Sequence, residues 1–450
     1  MNYDLAIIGG GPAGYSTALT AAKRGVNTIL FERQYLGGVC LNEGCIPTKA
    51  FLQSAHLYQD ILLASKYGIK VSDSPTPDYK RILARKNKIV RKLTAGVRMD
   101  LEQSGVTIVE GTASLAGEEE DRILIQCNGD TYSASHVLLA TGSESLIPPI
   151  PGLDSANYWT SREALSSKEL PESLTIIGGG VIGSEFADFY SSLGIPVTVI
   201  EMMPKILGPM DGELSELLRQ DMEKQGVTFH LNTQVTEVTA TEVLAKAPSG
   251  EKISIPYSTL LISVGRRSVT DGLGLETLSI TTNRRGIEVN EFLQTSHPRV
   301  YAIGDVNGFS QLAHTAIREG EVALEHILHP DSEPMDYNVV PGVVYTHPEL
   351  AGVGMTEEKL TEEGIDYDVF KIPMSFSGRF VVENEGGNGT FKLLTDKSGK
   401  ILGCHILGNP AAELIVIFGI AIQQGLHLDD MRKQVYPHPT VGEIIHEALR

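Results

Sequence analysis

An α/β protein with two Rossmann-like nucleotide-binding domains and a C-terminal α+β domain is the fold that this sequence predicts. Three observations predict it. A strand, a glycine-rich turn, a helix, a second strand and an acid follow one another at the start of the chain. The same succession recurs from Leu174. After Pro334 the texture changes to alternating strands (about Asp366 to Ile372, Thr390 to Thr395 and Ile401 to Leu407) and then helices (about Ala411 to Gln424, Leu428 to Val435 and Thr440 to Leu449), with no nucleotide signature. Ahead of it, Val300 to Asp305 reads as another buried strand ending in a glycine and an acid.

The first unit opens with an apolar strand, Tyr3 to Ile8, that breaks into Gly9-Gly10-Gly11-Pro12-Ala13-Gly14. A helix is predicted from Pro12 to about Arg24, with Gly25 as its C-cap. A second strand, Thr28 to Phe31, delivers Glu32. Gly9 makes the tight turn, Gly11 lets the backbone approach a pyrophosphate, and Gly14 lets helix and strand pack closely. The N–H groups at the helix N-terminus attract phosphate, and Glu32 can accept from a ribose hydroxyl. In the second unit, strand Leu174 to Ile177 leads to Gly178-Gly179-Gly180-Val181-Ile182-Gly183, a helix to about Leu193, strand Val197 to Ile200, and Glu201. First glycine to acid is 32 − 9 = 23 positions in one copy and 201 − 178 = 23 in the other. A single glycine turn of this kind also occurs without a ligand; two full units with equal spacing point to two dinucleotide sites. Two such sites on one chain imply electron transfer between two cofactors.

Bulk properties agree. At about 150 residues per domain, 450 residues predict roughly three domains. A net charge of −19 argues against a nucleic-acid binder. The N-terminal stretch reads as strand and turn rather than signal peptide, and the longest apolar run, Leu414 to Ile422, is too short to span a bilayer. A cytoplasmic location is expected, or an organelle matrix if a transit segment has been removed, with no membrane partner. In a reducing compartment four cysteines do not make a structural framework, so the closeness of Cys40 and Cys45 needs a chemical reason.

That pair lies in Gly37-Gly38-Val39-Cys40-Leu41-Asn42-Glu43-Gly44-Cys45-Ile46-Pro47-Thr48-Lys49, entering a helix predicted to run to about Ala64. Positions five apart do not face each other on an ideal helix, so a bridge here needs a distorted first turn, and strain makes a disulfide more reducible. The helix N-terminus and Lys49 favour the reactive thiolate, while Glu43 opposes it. Two core cysteines, or half of a metal site, are the other readings; a zinc site would want a second ligand pair, and no metal is expected. Cys127 and Cys404 read as ordinary buried residues. Near the C-terminus stands His438-Pro439-Thr440-Val441-Gly442-Glu443. By itself a His-Pro pair near a C-terminus is more often a plain turn than a site.

The stretch Gly37 to Lys49 resembles the redox segment of the pyridine-nucleotide disulfide oxidoreductases, and the resemblance extends over essentially the whole chain. It implies an FAD-binding domain (1–149), an NAD-binding domain (150–271), a central domain completing the FAD site (272–336) and an interface domain (337–450) that forms a homodimer. It implies that Cys45 lies against the flavin as the charge-transfer thiol, that Cys40 meets the substrate, and that Lys49 sits near flavin N5, paired with Glu185. FAD contacts are implied at Gly9, Gly11, Pro12, Ala13, Gly14, Glu32, Arg33, Gly38, Lys49, Thr141, Gly142, Gly304, Asp305, Leu312, Ala313 and His314. NAD contacts are implied at Gly178, Gly180, Val181, Gly183, Glu201 and Gly265. His438, oriented by Glu443, is implied to act as acid–base on the cysteines of the other subunit. His347 and His446 receive no role.

Glu201 favours NAD, since a carboxylate repels the 2′-phosphate of NADP, and Met202-Met203-Pro204-Lys205 contains no arginine to bind that phosphate. This weighs against glutathione- and trypanothione-reducing members. Both cysteines are present, unlike in a soluble transhydrogenase, and the C-terminus lacks the cysteine pair of a mercuric reductase. The segments Val344 to Glu349 and Glu201 to Asp211 resemble the dihydrolipoamide-oxidising members. The expected reaction is therefore NAD-dependent oxidation of protein-bound dihydrolipoamide, with a lipoyl-carrying protein of a 2-oxoacid dehydrogenase complex or glycine cleavage system as partner. A glutathione reductase-like enzyme is the alternative, and a flavoprotein electron-transfer reductase without disulfide chemistry is an alternative of another class. Glu43 and Pro437 depart from the family pattern. Finally, the helix predicted over Asp78 to Gln103 concentrates Lys80, Arg81, Arg85, Lys86, Lys88, Arg91, Lys92 and Arg98, either as a solvated face or as a docking surface for an acidic partner.

Overall fold

Apolar residues drive the placement of β1 (Asn2–Ile8), whose Leu5, Ala6, Ile7 and Ile8 are all buried. The computed structural model describes residues 2–72, 74–384 and 387–450 and divides into two units. The first comprises Met1–Ala50, Leu83–Leu146 and Gly265–Met335. Its elements after β1 are α1 (Pro12–Lys23), β2 (Thr28–Glu32), α2 (Gly38–Glu43), the start of α3 (Cys45–Leu62), most of α4 (Tyr79–Gln103), β3 (Thr107–Glu110), β4 (Ala113–Glu119), β5 (Arg122–Cys127) and β6 (Asp130–Leu139). The sheet runs β3–β2–β1–β6–β5–β4, and strand Val300–Ala302 also pairs with β6. Ile7 lies opposite Leu30 on one side and Leu138 on the other, both in parallel register. All three are fully buried, as strands covered on both faces must be.

The glycines of the first turn are dictated by this packing. Gly9 has φ +114°, and a Cβ there would lie 2.2 Å from the Ala140 carbonyl oxygen. A Cβ on Gly14 would lie 1.8 Å from the Gly9 carbonyl oxygen, so α1 can approach the turn only without a side chain. Helix Ala313–Leu328 packs on α1 by the same device: a Cβ on Gly320 would meet Thr17 Oγ1 at 1.9 Å.

The second unit comprises Phe51–Ile82, Ile147–Val264 and Asp336–Arg450. It contains β7 (Leu174–Ile177), α5 (Val181–Ser192), β8 (Val197–Ile200), α6 (Gly212–Lys224), β9 (Val227–His230) and β10 (Thr259–Ile262). The sheet order is β9–β8–β7–β10, closed by Tyr158–Trp159, and every pairing is parallel. The turn repeats that of the first unit. Gly178 has φ +108°, and Cβ atoms on Gly178 and Gly183 would come within 2.5 Å of Ser263 O and 2.1 Å of Gly178 O.

The C-terminal part is an antiparallel sheet of β11 (Gly342–Val344), β12 (Leu350–Gly354), β13 (Tyr367–Pro373), β14 (Thr390–Asp396) and β15 (Ile401–Leu407), in the order β11–β12–β15–β14–β13. Helix α7 (Ala411–Gln423) covers it with Ile415, Phe418 and Ala421 and leaves Val416, Ile417 and Ile420 exposed. The sequence reading placed β13, β14, β15 and α7 within a residue but did not anticipate β11 and β12, which are short and interrupted by glycine. The helix expected over Thr440 to Leu449 is instead a 3₁₀ turn, Val441–Glu443, followed by Ile444–Ala448. Likewise the strand expected from Val300 to Asp305 stops at Ala302, and Gly304–Asn307 is a 3₁₀ turn entered at Gly304 with φ +73°. Among the described residues, no helix is long and apolar enough to cross a membrane.

One buried ion cluster ties α6 to β14. Lys392 Nζ lies 3.0 Å from Asp211 Oδ1, 2.8 Å from Glu213 and 2.7 Å from Glu357, with the Lys392 and Asp211 side chains almost fully buried. These carboxylates outweigh the burial that would pull the lysine down and hold its pKa above the ordinary value. Lys392→Met strands a buried carboxylate, which costs about 3–5 kcal/mol. Urea unfolding should show that loss, partly recovered by adding Asp211→Leu; an unchanged midpoint and slope would refute it.

Candidate active site

The two glycine turns share one position that their own folds do not explain. Gly11 and Gly180 both precede a helix with φ −72°, a conformation open to any residue. A Cβ on Gly11 would find only Gly38 Cα, at 3.9 Å, and one on Gly180 would find nothing within 4 Å. Neither strain nor packing demands glycine there, so the demand comes from a molecule that approaches the backbone. Both helices also start without a side-chain cap, leaving their first N–H groups to a ligand. The residues present therefore fit two dinucleotides. Gly38 belongs to the same construction: its Cβ would come 2.7 Å from Gly11 Cα.

The two acids are wired alike. Glu32 Oε2 accepts from Gly10 N–H (2.7 Å) and Oε1 from Gln34 N–H (2.7 Å). Glu201 Oε2 accepts from Gly179 N–H (2.6 Å) and Oε1 from Met203 N–H (2.7 Å). Each carboxylate is thus fixed by backbone at the mouth of its turn, with lone pairs left over for a ribose. Lys205 donates to the Met210 carbonyl at 2.9 Å and lies 3.4 Å from Glu358. The lone cation after Glu201 is therefore already engaged. Arg33 follows Glu32 and is exposed.

Between the cysteines the chain breaks. Rather than one helix to Ala64, α2 ends at Glu43, Gly44 adopts φ −143° and ψ −112°, and α3 restarts at Cys45 and ends at Leu62. The distortion expected of the first turn is this break, and it brings the two thiols together. Cys40 and Cys45 are both half-buried, and a hydrogen bond to Cys45 is the first cause raising the Cys40 pKa. Burial and the charge of Cys45 add to it, Lys49 opposes it, and Asp305 raises it further. The net effect is a Cys40 thiol held above its ordinary pKa. Glu43 itself is turned to the Tyr35 hydroxyl, with which it makes a short hydrogen bond.

Two neighbours of the pair escaped the sequence reading. Tyr15, on α1, feels both cysteines, and burial followed by their charges raises its pKa. Arg266 is nearly buried; it donates to Ser143 Oγ and Ser143 O, both at 2.7 Å, and faces Asp305, Cys45 and Glu43. Burial holds its pKa below the ordinary guanidinium value against those charges. Asp305 in turn is raised by burial, with the Ser143 hydroxyl and Arg266 pulling the other way. Buried Glu319 accepts from the Gly304 N–H and from Asn307 Nδ2, anchoring the turn that presents Asp305. Thr141 Oγ1 donates to Val269 O at 2.7 Å beside Gly142, which has φ +70°. Leu312 caps helix Ala313–Leu328, and His314 is exposed on its first turn.

All the residues expected at the flavin, with both cysteines, Lys49 and Gly265, fall in the first unit; Gly178, Gly180, Val181, Gly183, Glu185, Glu201, His438 and Glu443 fall in the second. Glu185 is buried on α5 and accepts from Tyr345 N–H at 3.1 Å. His438 and Glu443 form a dyad, Nδ1 to Oε1 2.8 Å, while Glu443 Oε2 takes the Thr440 N–H at 2.9 Å. That backbone bond first, and His438 second, hold the Glu443 carboxyl below its ordinary pKa. The His438 side chain is 81% exposed, so the dyad points its free nitrogen outward. His347, given no role, lies near His56 (ring centroids 5.2 Å), and His56 bonds Asp188 at 2.7 Å. Burial and His56 lower its pKa. Among the described residues, no group of three or more His, Cys, Asp or Glu could hold a metal ion.

Family models match two stretches that together span nearly the whole chain. Residues 3–320 match the pyridine nucleotide-disulphide oxidoreductases, and residues 340–449 match the dimerisation domain of the same family. The chain belongs to this family. Such an oxidoreductase is a flavoprotein that works with FAD and a pyridine nucleotide, and its two Rossmann-like domains and C-terminal α+β domain follow the family layout. The chain is 39% identical to a protein of Thermus scotoductus named dihydrolipoyl dehydrogenase, over 99% of this chain and 96% of that protein. It is 36% identical to the protein of that name from Mycoplasma pneumoniae, over 100% and 98%. Among solved structures it is similar to LpdA from Mycobacterium tuberculosis, with TM-score 0.90 and 27% identity over 99% of each chain. It is also similar to the HOCl-induced flavoprotein disulfide reductase RclA from Escherichia coli, with TM-score 0.86 and 28% identity over 99% of each chain.

Proposed function

We propose that this family member is a homodimeric dihydrolipoyl dehydrogenase of the cytoplasm, oxidising dihydrolipoamide borne on a carrier protein and reducing NAD. The observation that carries the reading is the thiol pair across the Gly44 break, with an imidazole–carboxylate dyad assembled elsewhere on the chain. The full-length relatives of that name and the apolar exposed face of α7 support it.

In this reading Gly9, Gly11, Gly14, Glu32, Gly304 and Asp305 hold FAD, and Gly178, Gly180, Gly183 and Glu201 hold NAD. Bound FAD supplies the two-electron relay between thiols and nicotinamide. His438 of one subunit takes the proton from a substrate thiol at its outward nitrogen, and Glu443 supports the resulting imidazolium. The substrate thiolate attacks Cys40 of the Cys40–Cys45 disulfide, and Cys45 leaves as thiolate. The second substrate thiol then displaces Cys40, closing the cyclic disulfide and returning a thiol to Cys40. Lys49 offers positive charge to the pair throughout, and Arg266 balances Asp305 and Cys45.

A substrate panel tests this. Dihydrolipoamide with NAD should turn over at least about tenfold faster than with NADP, because Glu201 meets the 2′ position. Rapid NADPH-dependent reduction of glutathione disulfide without dihydrolipoamide activity would instead assign a glutathione reductase-like enzyme.

A further inference from the structure

Helix α4 carries a charge that the rest of the chain lacks. Between Tyr79 and Met99 it has eight cationic residues and no acid, +8 in a protein of net −19, so the remainder is −19 − 8 = −27. The cations are not spread round the helix. At 3.6 residues per turn, Lys80, Arg81, Arg85, Lys88, Arg91, Lys92 and Arg98 fall within an arc of about 140°. All seven are exposed, whereas Lys86, on the opposite side, is buried. Arg81 and Arg98 are partly neutralised by Asp78 and by Glu102 and Glu110. Lys88, Arg91 and Lys92, midway along the helix, have no ion-pair partner among the described residues. The helix has 25 residues, or about 37 Å of length. Arg85 Nη1 donates to the Ala50 carbonyl at 2.8 Å, fastening α4 to the helix that begins 50 − 45 = 5 residues earlier at Cys45.

We propose that this face of α4 is the docking surface for an acidic, dithiol-bearing carrier domain, which it holds while the dithiol reaches Cys40. The inference rests on the dihydrolipoamide reading above and adds where the carrier lands. An acidic domain is repelled by a body of charge −27 and finds its attraction on this one face, so encounter is steered to the element fastened beside the cysteines. A solvated helix face with no partner needs no such segregation, since mixed charges serve solubility as well.

The test compares two forms of one substrate in the intact enzyme. Lys88→Glu/Arg91→Glu/Lys92→Glu should lower kcat/KM for a reduced lipoyl domain of net negative charge by about tenfold or more. Turnover of free dihydrolipoamide should stay at the parent rate. The parent's rate with the domain should fall steeply with added salt and the variant's should not. The milder Lys88→Gln/Arg91→Gln/Lys92→Gln should give an intermediate, equally selective loss. Equal effects on both substrates, or none on the domain, overturn the proposal while free dihydrolipoamide turnover keeps the functional reading intact. Loss of binding to phosphatidylglycerol vesicles or to RNA with unchanged domain turnover assigns the face to another partner and also overturns it. A parent enzyme inactive on free dihydrolipoamide defeats the functional reading, and this proposal with it.

Discussion

Cys45→Ser should lose NAD-linked dihydrolipoamide oxidation by about 10⁴-fold or more, the scale on which loss of a nucleophile acts, while Cys40→Ser loses it equally but keeps a different signature. The distinction follows from which sulfur leaves in the proposed exchange. Cys45 leaves as thiolate when Cys40 is attacked, and Cys45 and burial both raise the Cys40 pKa, so the reading assigns the negative charge of the reduced pair to Cys45. A serine at 40 still donates a hydrogen bond; a serine at 45 cannot carry the charge. Long-wavelength absorbance on partial reduction, which reports a thiolate against the flavin, should therefore persist in Cys40→Ser and vanish in Cys45→Ser. Both variants should keep hydride transfer from NADH to an artificial acceptor, which does not need the thiols. The reverse pattern of absorbance would exchange the two roles.

The second large effect is expected at the dyad. His438→Gln should lower kcat/KM for dihydrolipoamide by about 10²–10⁴-fold, the usual contribution of a general base. Glu443→Gln should cost less, on the order of 10²-fold, because the amide can still accept the Thr440 N–H but no longer offers its charge to the imidazolium. As a positioning residue it should also move the acid limb of the pH–rate profile to lower pH. A merely structural loss would lower the whole profile without displacing it. The carboxyl of Glu443 is held below its ordinary pKa, so in the parent it stays ionised across the working range and is lost only under strongly acidic conditions. Subunit mixing decides where the dyad acts. If His438 serves the partner's cysteines, combining inactive Cys45→Ser and His438→Gln chains regenerates one intact site in each mixed dimer. If it serves its own chain, no mixed dimer recovers activity.

Much of the fold could be read because buried strands announce themselves. Leu174–Ile177, Val197–Ile200 and Ile401–Leu407 are short, mostly apolar runs rich in Val, Ile and Leu and bounded by turn or charged residues, and the structure ends them at the same residues. The glycine turns were legible for a different reason: each needs a residue without Cβ at a fixed offset from a strand. Elements that depend on remote partners were not legible. Arg266 gains its setting from Ser143, Asp305 and Cys45, which lie 266 − 143 = 123, 305 − 266 = 39 and 266 − 45 = 221 positions away along the chain. Lys392 sits in an ordinary strand pattern, and carboxylates remote in sequence, among them Asp211, 181 positions away, make its burial tolerable. The helix break at Gly44 lay within reach of local reasoning, since glycine is a poor helix residue. The expectation of one continuous helix overrode that signal.

The backbone bonds of Glu201 bear on any attempt to redesign which nicotinamide the enzyme uses. Its two oxygens hold the Gly179 and Met203 N–H groups, so the same carboxylate proposed to discriminate at the ribose also stitches the glycine turn to the end of β8. Exchanging it for a small neutral residue to admit a phosphate would unpair both donors and loosen the pyrophosphate cradle at the same stroke. A designer would have to rebuild that turn with new acceptors first, and only then add the cation that a phosphate requires. Preference and architecture are inherited together at this position, and the first unit, with Glu32 bonded in the same way, is bound by the same constraint.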